Sequence, residues 1–238
     1  MTWIRILAAL AAALMLSACY ETTSDVPAIS DARRLAKSPI APGIWCSTDA
    51  AFDSAGAVTG IKVRDCFSVR FEAATLTVEQ LHGDENGRKE KPIDFAMAAL
   101  DRGATLMQAR TAADRHYDLS VAKTLDDGIA ALPELKLTPQ IIADAAALGV
   151  TIKREGSIQD LRVLAGEPDA VLKLIENAVG LRFDQGVRDR ALWNELMNES
   201  MFFLRLEADP KKVPPEPAVL VAQLERLRKT IRSAMTLE

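Results

Sequence analysis

Between Gly43 and about Leu132, apolar side chains recur at every second residue. Period two puts successive side chains on opposite faces of an extended chain, so these runs are built for a sheet with one apolar face. Phe67, Val69 and Phe71 alternate with Ser68 and Arg70, and Leu76 and Val78 alternate with threonines. Ile93, Phe95 and Met97 form a third run, and Tyr117, Leu119 and Val121 a fourth. Turn signals at Glu72-Ala73-Ala74, Asp101-Arg102-Gly103 and Leu125-Asp126-Asp127-Gly128 divide them. Alternating runs bounded by such clusters predict antiparallel hairpins, at 65–80, 92–111 and 115–132. With 43–47 as an extra strand, the expectation is an antiparallel meander of six or seven strands.

The second half changes period. Thr138-Pro139 is a helix start, with threonine as cap and proline in the first turn. Ile141, Ile142, Ala145 and Leu148 follow at helical spacing, and Gly149 stands where a helix would stop. Residues 150–152 suggest a short strand. Residues 157–165 and 168–179 suggest two short helices split by Gly166. A longer helix is expected from Asp184 to about Leu204, with Leu192, Trp193, Leu196, Met197, Met201 and Leu204 on one broad face. After the stiff segment 211–217, Leu220, Leu224, Leu227 and Ile231 mark a final helix. The expected class is α+β, a meander followed by a mostly helical C-terminal half. Its parts are an antiparallel sheet region at 44–135, a helical region packing on it at 136–209, and a Pro-rich connector with a C-terminal helix at 210–238.

The N-terminus has a different grammar. One basic residue, Arg5, precedes an unbroken apolar run from Ile6 to Met15, and Leu16-Ser17-Ala18-Cys19 closes it. A charged start, short apolar core and small-residue exit make a secretory signal peptide at 1–18. The run falls short of the roughly 20 apolar residues of a membrane-crossing helix. Leu16-Ser17-Ala18-Cys19 resembles the lipobox of bacterial lipoproteins, a branched apolar residue and two small ones before a cysteine. The resemblance covers nineteen residues and implies diacylglyceryl attachment to the Cys19 thiol, cleavage before it and acylation of the new amino terminus. Several acyl chains hold a protein on a bilayer where one binds only marginally. Tyr20 follows, where an Asp would favour the inner membrane in enteric bacteria. The implied location is therefore the cell envelope, at the periplasmic face of the outer membrane. Residues 19–43, rich in Ser, Thr and Pro, suggest lipid anchor and flexible tether, with a coil span of roughly 27 Å.

The chain carries a formal net charge of −4, and removal of Arg5 with the signal leaves it more negative. A mildly acidic chain lacks the basic surface that sequence-independent nucleic-acid binding requires. With Cys19 acylated, Cys46 and Cys66 remain of three cysteines, an even pair in an oxidising compartment, and they are expected to form a disulfide. Two free buried thiols or a redox pair are the alternatives, although the Cys-x-x-Cys of a redox pair is absent. Trp45, beside Cys46, is expected to pack against that bridge.

A search for chemistry yields little. His116, Asp118 and Ser120 have the residue types of a hydrolase triad, but one strand face separates them by roughly 6.5–7 Å each, too far for the hydrogen-bond contact a triad needs. They read instead as the wet face of a strand whose Tyr117, Leu119 and Val121 point inward. His82 with Gly83-Asp84-Glu85-Asn86-Gly87 lacks the alternating acids of a calcium loop and reads as a solvated hairpin loop. Two histidines and a paired set of thiols give no zinc motif. Phosphate loops, nucleophile elbows and His-Glu-x-x-His are missing as well. No catalytic, cofactor or metal residue is therefore assigned. The final helix could serve an envelope protein partner through its narrow apolar stripe, or dock on its own sheet, and docking is favoured. The expected function is that of a non-catalytic envelope lipoprotein that binds or assembles another component. A periplasmic hydrolase of wall or lipid material and a carrier of a small apolar ligand are the alternatives. The carrier requires a sheet that encloses a cavity.

Overall fold

The period-two runs form strands, and the sheet they make closes on itself. The computed structural model describes residues 22–53, 55, 57–81, 90–110, 115–126, 128–154, 162–206 and 217–235. The strands are β1 (Thr22–Ser24), β2 (Gly43–Phe52), β3 (Val58–Glu72), β4 (Thr75–Gln80), β5 (Ile93–Ala99), β6 (Thr105–Ala109), β7 (Tyr117–Asp126), β8 (Ile129–Leu132), β9 (Thr151–Arg154), β10 (Arg162–Ala165) and β11 (Met201–Leu206). The helices are α1 (Pro139–Ala147), α2 (Pro168–Arg188), α3 (Arg190–Asn198) and α4 (Pro217–Met235). Strands β2 to β8 follow one another as antiparallel neighbours, β6 pairs with β7, and β11 bridges β8 to β2. The result is a closed eight-stranded antiparallel barrel. Strand β7 also carries β1 on its flank, followed by β10 and β9.

This overturns the expected class of a meander followed by a helical half. The C-terminal half supplies three strands, and β11 is the one that shuts the barrel. The expected helix at 184–204 breaks at two places. Asp189 is extended and accepts from the Ala191 and Leu192 N–H groups, so it starts α3 afresh. Ser200 follows the end of α3, its Oγ donating to the Leu196 carbonyl at 2.6 Å. From Met201 the chain alternates, with Phe202, Leu204 and Leu206 buried. Leu192, Leu196 and Leu204 are spaced by multiples of four, which fit a helical face and a strand face alike. Segment 162–165, read as helical, is β10; residues 155–161 lie outside the described residues.

The flexible-tether reading of residues 19–43 also gives way over its described part. Strand β1 pairs antiparallel with β7 and parallel with β10, and Ala28 and Ile29 are buried in the main core. A Thr-Thr-Ser strand has no apolar alternation to betray it. It is held by backbone pairing on both sides, with Ser24 Oγ donating to the Leu164 carbonyl at 3.1 Å.

The main core lies outside the barrel, between its wall and the helices. Ala98, Leu106, Leu119, Val121, Ile129 and Phe202 point into it from the strands. Val171, Ile175, Phe183 and Trp193 meet them from α2 and α3. Helix α2 runs past Gly180 and Gly186, and at Gly186 a Cβ would stand 3.1 Å from the Trp193 ring. The glycine there admits α3 at close range instead of ending α2. Helix α4 docks on this layer through buried Leu224, an Arg190–Glu225 ion pair and Arg228 donating to the Val187 carbonyl.

Candidate functional site

Alternation gives each barrel strand a second face, and that face fills the lumen. Trp45 of β2, Val69 of β3, Leu76 of β4 and Met97 of β5 form one buried cluster with Met107, Ala122 and Ala130. The packing is incomplete. A cavity of about 60 Å³ remains in the lumen, and its wall offers no polar surface. Ile40, Trp45, Phe67, Val69, Leu76 and Met107 line it on one side. Val78, Ile93, Phe95, Ala130, Leu132 and Phe203 complete it. Phe67 and Phe203 meet as a tilted ring pair with centroids 6.2 Å apart.

One end of the lumen is sealed. The segment between β1 and β2 crosses it as a strap, and three hydrogen bonds tie the strap's backbone down. Leu35 N–H donates to the Met97 carbonyl at 2.9 Å, the Trp45 indole N–H donates to the Ala41 carbonyl at 2.8 Å, and Thr124 Oγ1 donates to the Pro39 carbonyl at 3.2 Å. Ile40 drops from the strap into the lumen cluster. Away from the strap the wall thins: Val78, Ile93, Phe95, Leu132 and Phe203 are only half-buried, whereas Trp45, Val69, Leu76 and Met107 are buried. The cavity therefore opens at the end where β5 and β7 begin. The outer face of β3 to β5 carries Arg70, Glu79, Thr77 and Asp94, with an Arg70–Glu79 pair at 3.3 Å and Thr77 donating to Asp94 at 2.6 Å. Apolar inside and polar outside is the opposite of a bilayer-spanning barrel. Among the described residues, no helix is long and apolar enough to cross a membrane.

Of His116, Asp118 and Ser120, the first precedes β7 and the other two lie on it at alternate positions. The face of β7 expected to be buried is buried: Leu119 and Val121 lie in the core between the barrel wall and the helices, and Ala122, on the opposite face, lies in the lumen cluster. By alternation Asp118 and Ser120 share the face of Ala122, nearer the open end. Asp118 stands opposite Ala109 and Thr23, and Ser120 opposite Met107. They give an apolar lumen a polar lip. Sequence reasoning missed the lumen because it counted one apolar face per strand, and a barrel packed on helices needs two.

Cys46 and Cys66 form the disulfide, directly opposite one another on β2 and β3 with Cα atoms 4.0 Å apart. Trp45 faces the lumen, so it does not share the face of the bridge, which packs with Leu206, Ile44, Val63 and Leu81. Cys19 and the loop from His82 to Gly87 lie outside the described residues.

An ionic cluster stands behind β8. Lys136 pairs with Glu195 at 3.2 Å and with Glu199, and Arg182 pairs with Glu199 at 2.6 Å. Burial alone would raise the Glu199 carboxyl, but hydrogen bonds from Lys136 and Arg182 outweigh it and hold it below its ordinary range. Burial lowers Lys136 too, and the bonds to Glu199 and Glu195 reverse the sign. Glu134, only 7% exposed, is pushed up by burial and then by the Glu199 charge. One raised acid beside two paired cations has the pattern of a structural ion-pair network. Among the described residues no group of His, Cys, Asp or Glu could hold a metal ion. Comparison with known proteins finds no family model, no curated protein and no solved structure that matches this chain.

Proposed function

We propose that this chain is a lipid-anchored protein of the cell envelope, non-catalytic, which receives one end of an apolar hydrocarbon chain in the lumen of its barrel. The carrying observation is the half-open lumen walled entirely by apolar side chains. Eight-stranded barrels are just wide enough either to fill with side chains or to hold one small ligand. Nothing polar inside the wall would satisfy a head group, so the bound part must be hydrocarbon. The enclosed space, about 60 Å³, is smaller than the cavity of about 150 Å³ that encloses benzene. It suits the narrow end of a chain, with the remainder of the molecule standing in the mouth beside Asp118 and Ser120.

The anchor belongs to the same proposal. Leu16-Ser17-Ala18-Cys19 supports it, and the Cys46–Cys66 bridge takes up the other two of the three cysteines. The expected site is the periplasmic face of the outer membrane. A contact with another envelope protein through α4 would use the face bearing exposed Arg226, Lys229 and Arg232, because Leu224 is committed to the core.

The test is titration of the purified protein with dansyl-undecanoic acid, read by energy transfer from the tryptophans. Saturable binding, competed by palmitate and weakened at least about ten-fold by Ala130→Phe, supports the proposal. Ala130 lines the cavity, and the larger ring would occupy it at a typical overpacking cost of about 1–3 kcal/mol. Absence of saturable binding to the folded wild type would rule out the lumen as a ligand site.

A further inference from the structure

On the reading of the lumen as a ligand site, we infer that Ile40 is its floor and that the strap carrying Ile40 fixes how much of a hydrocarbon chain the barrel accepts. Among the described residues, the lining of the cavity runs from Phe67 to Val69 on β3 and from Ile93 to Phe95 on β5. The next positions towards the strap on the same faces, Phe71 and Met97, belong to the packing around Ile40, together with Leu35 of the strap. Leu35 is tied there by its N–H, which donates to the Met97 carbonyl at 2.9 Å. The lining thus takes two inward positions on each of these strands, about 7 Å of apolar wall along the strand. That depth takes the end of an unbranched chain and leaves the rest of it outside.

Ile40 holds this place because the tip of the strap has little freedom. It stands in Ser38-Pro39-Ile40-Ala41-Pro42, where each proline fixes its own φ and keeps the residue before it extended. All three carbonyls at the tip accept from side chains. Thr124 Oγ1 donates to Pro39 at 3.2 Å, Ser38 Oγ to Ile40 at 2.7 Å, and the Trp45 indole N–H to Ala41 at 2.8 Å. The Ile40 N–H donates in turn to Ser38 Oγ at 3.0 Å. Branching at Cβ restricts the Ile40 side chain to few rotamers, and it is 7% exposed in the cluster that holds the buried Trp45. A chain end arriving from the mouth therefore meets a fixed apolar surface and not a hinged flap. Short chains leave part of the wall unfilled, and long ones gain no further burial below Ile40. The barrel measures the chain that enters it.

The experiment is calorimetric titration of the purified protein with straight-chain primary alcohols from butanol to dodecanol, whose free alkyl end probes the lumen. For the wild type, affinity should climb about four-fold with each added methylene until the chain end meets Ile40, and then level off. In Ile40→Ala the levelling should come about two methylenes later, because the floor has receded. Ile40→Val, which disturbs the strap less, should move it the same way by a smaller step. Val78→Ala removes carbons from the half-buried part of the same lining, and should weaken binding without moving the levelling point. A levelling point unchanged in both Ile40 variants, or moved as far by Val78→Ala as by Ile40→Ala, would overturn the floor and leave the lumen as a site. No saturable binding of any alcohol to the folded wild type would overturn the lumen reading along with it.

Discussion

Cys46 and Cys66 stand opposite one another in the β2–β3 ladder, so the native sheet already holds them together and the bridge acts mainly on the unfolded chain. A separation of 20 residues corresponds to about 3 kcal/mol. The double variant Cys46→Ser/Cys66→Ser should keep its barrel and lose about that much in urea unfolding. The ionic cluster makes a prediction with two signs. Glu134 is raised, so the folded chain holds its proton where the unfolded chain has released it. The stability it contributes is full below the ordinary value near 4.5 and is lost as pH rises through the raised one. Glu199 is lowered, so its contribution is present above the ordinary value and lost as pH falls through the lowered one. Glu134→Gln should therefore flatten the loss of stability on the alkaline side of 4.5. Glu199→Gln should cost about 1.5–3 kcal/mol at neutral pH by weakening bonds to Lys136 and Arg182. Thermal unfolding across pH reads both. The disulfide was legible because elimination left two thiols. The cluster was not, since Lys136, Arg182 and Glu199 are far apart in sequence and meet only when β8, α2 and α3 pack.

At the scale of elements, local chemistry was readable where a single period governs. The hairpin segments at 65–80, 92–111 and 115–132 carry unambiguous alternation, and α1 carries both its cap and its proline. Thr138 accepts from the Ile141 N–H, and Thr138→Ala should cost about 1 kcal/mol in denaturant unfolding. Strand β11 was hidden for a physical reason, since leucines four apart satisfy either period. Strand β1 was hidden because pairing alone defines it. These two are also the elements whose partners are most distant in sequence: β11 meets β2 across 154 residues at the Thr48–Phe202 hydrogen bond, and β1 meets β10 across 140 at Ser24–Leu164. Phe202 is fully buried, touching the main core and lying 5.8 Å from the Phe52 ring. Phe202→Ala should destabilise by about 3–5 kcal/mol, several times the effect of the cap. A loss below that of Thr138→Ala would mean that β11 does not carry the closure.

For the molecule as a whole, closure gives strands that back onto the helices, such as β6 and β7, two buried faces, one against the helices and one around the lumen. A sequence shows that a strand has an apolar face. It does not show that its neighbour's small side chains, such as Ala122 and Ala130, leave room inside. The cavity is therefore a property of the closed ring, and its energetics belong to that scale too. An unfilled apolar space forfeits dispersion contacts along its whole lining. A hydrocarbon that binds the closed barrel and not the unfolded chain must stabilise folding by mass action, about 2.7 kcal/mol at a hundredfold excess over its dissociation constant. Palmitate should accordingly raise the unfolding temperature of the wild type, with the rise growing logarithmically in free ligand. Ala130→Phe occupies the same space covalently, so it should abolish most of that rise. Leu192→Ala, on an exposed position of α3 outside the barrel, should preserve it. If the ligand shifts the melting of the Ala130→Phe variant as much as that of the wild type, the hydrocarbon is binding somewhere other than the lumen.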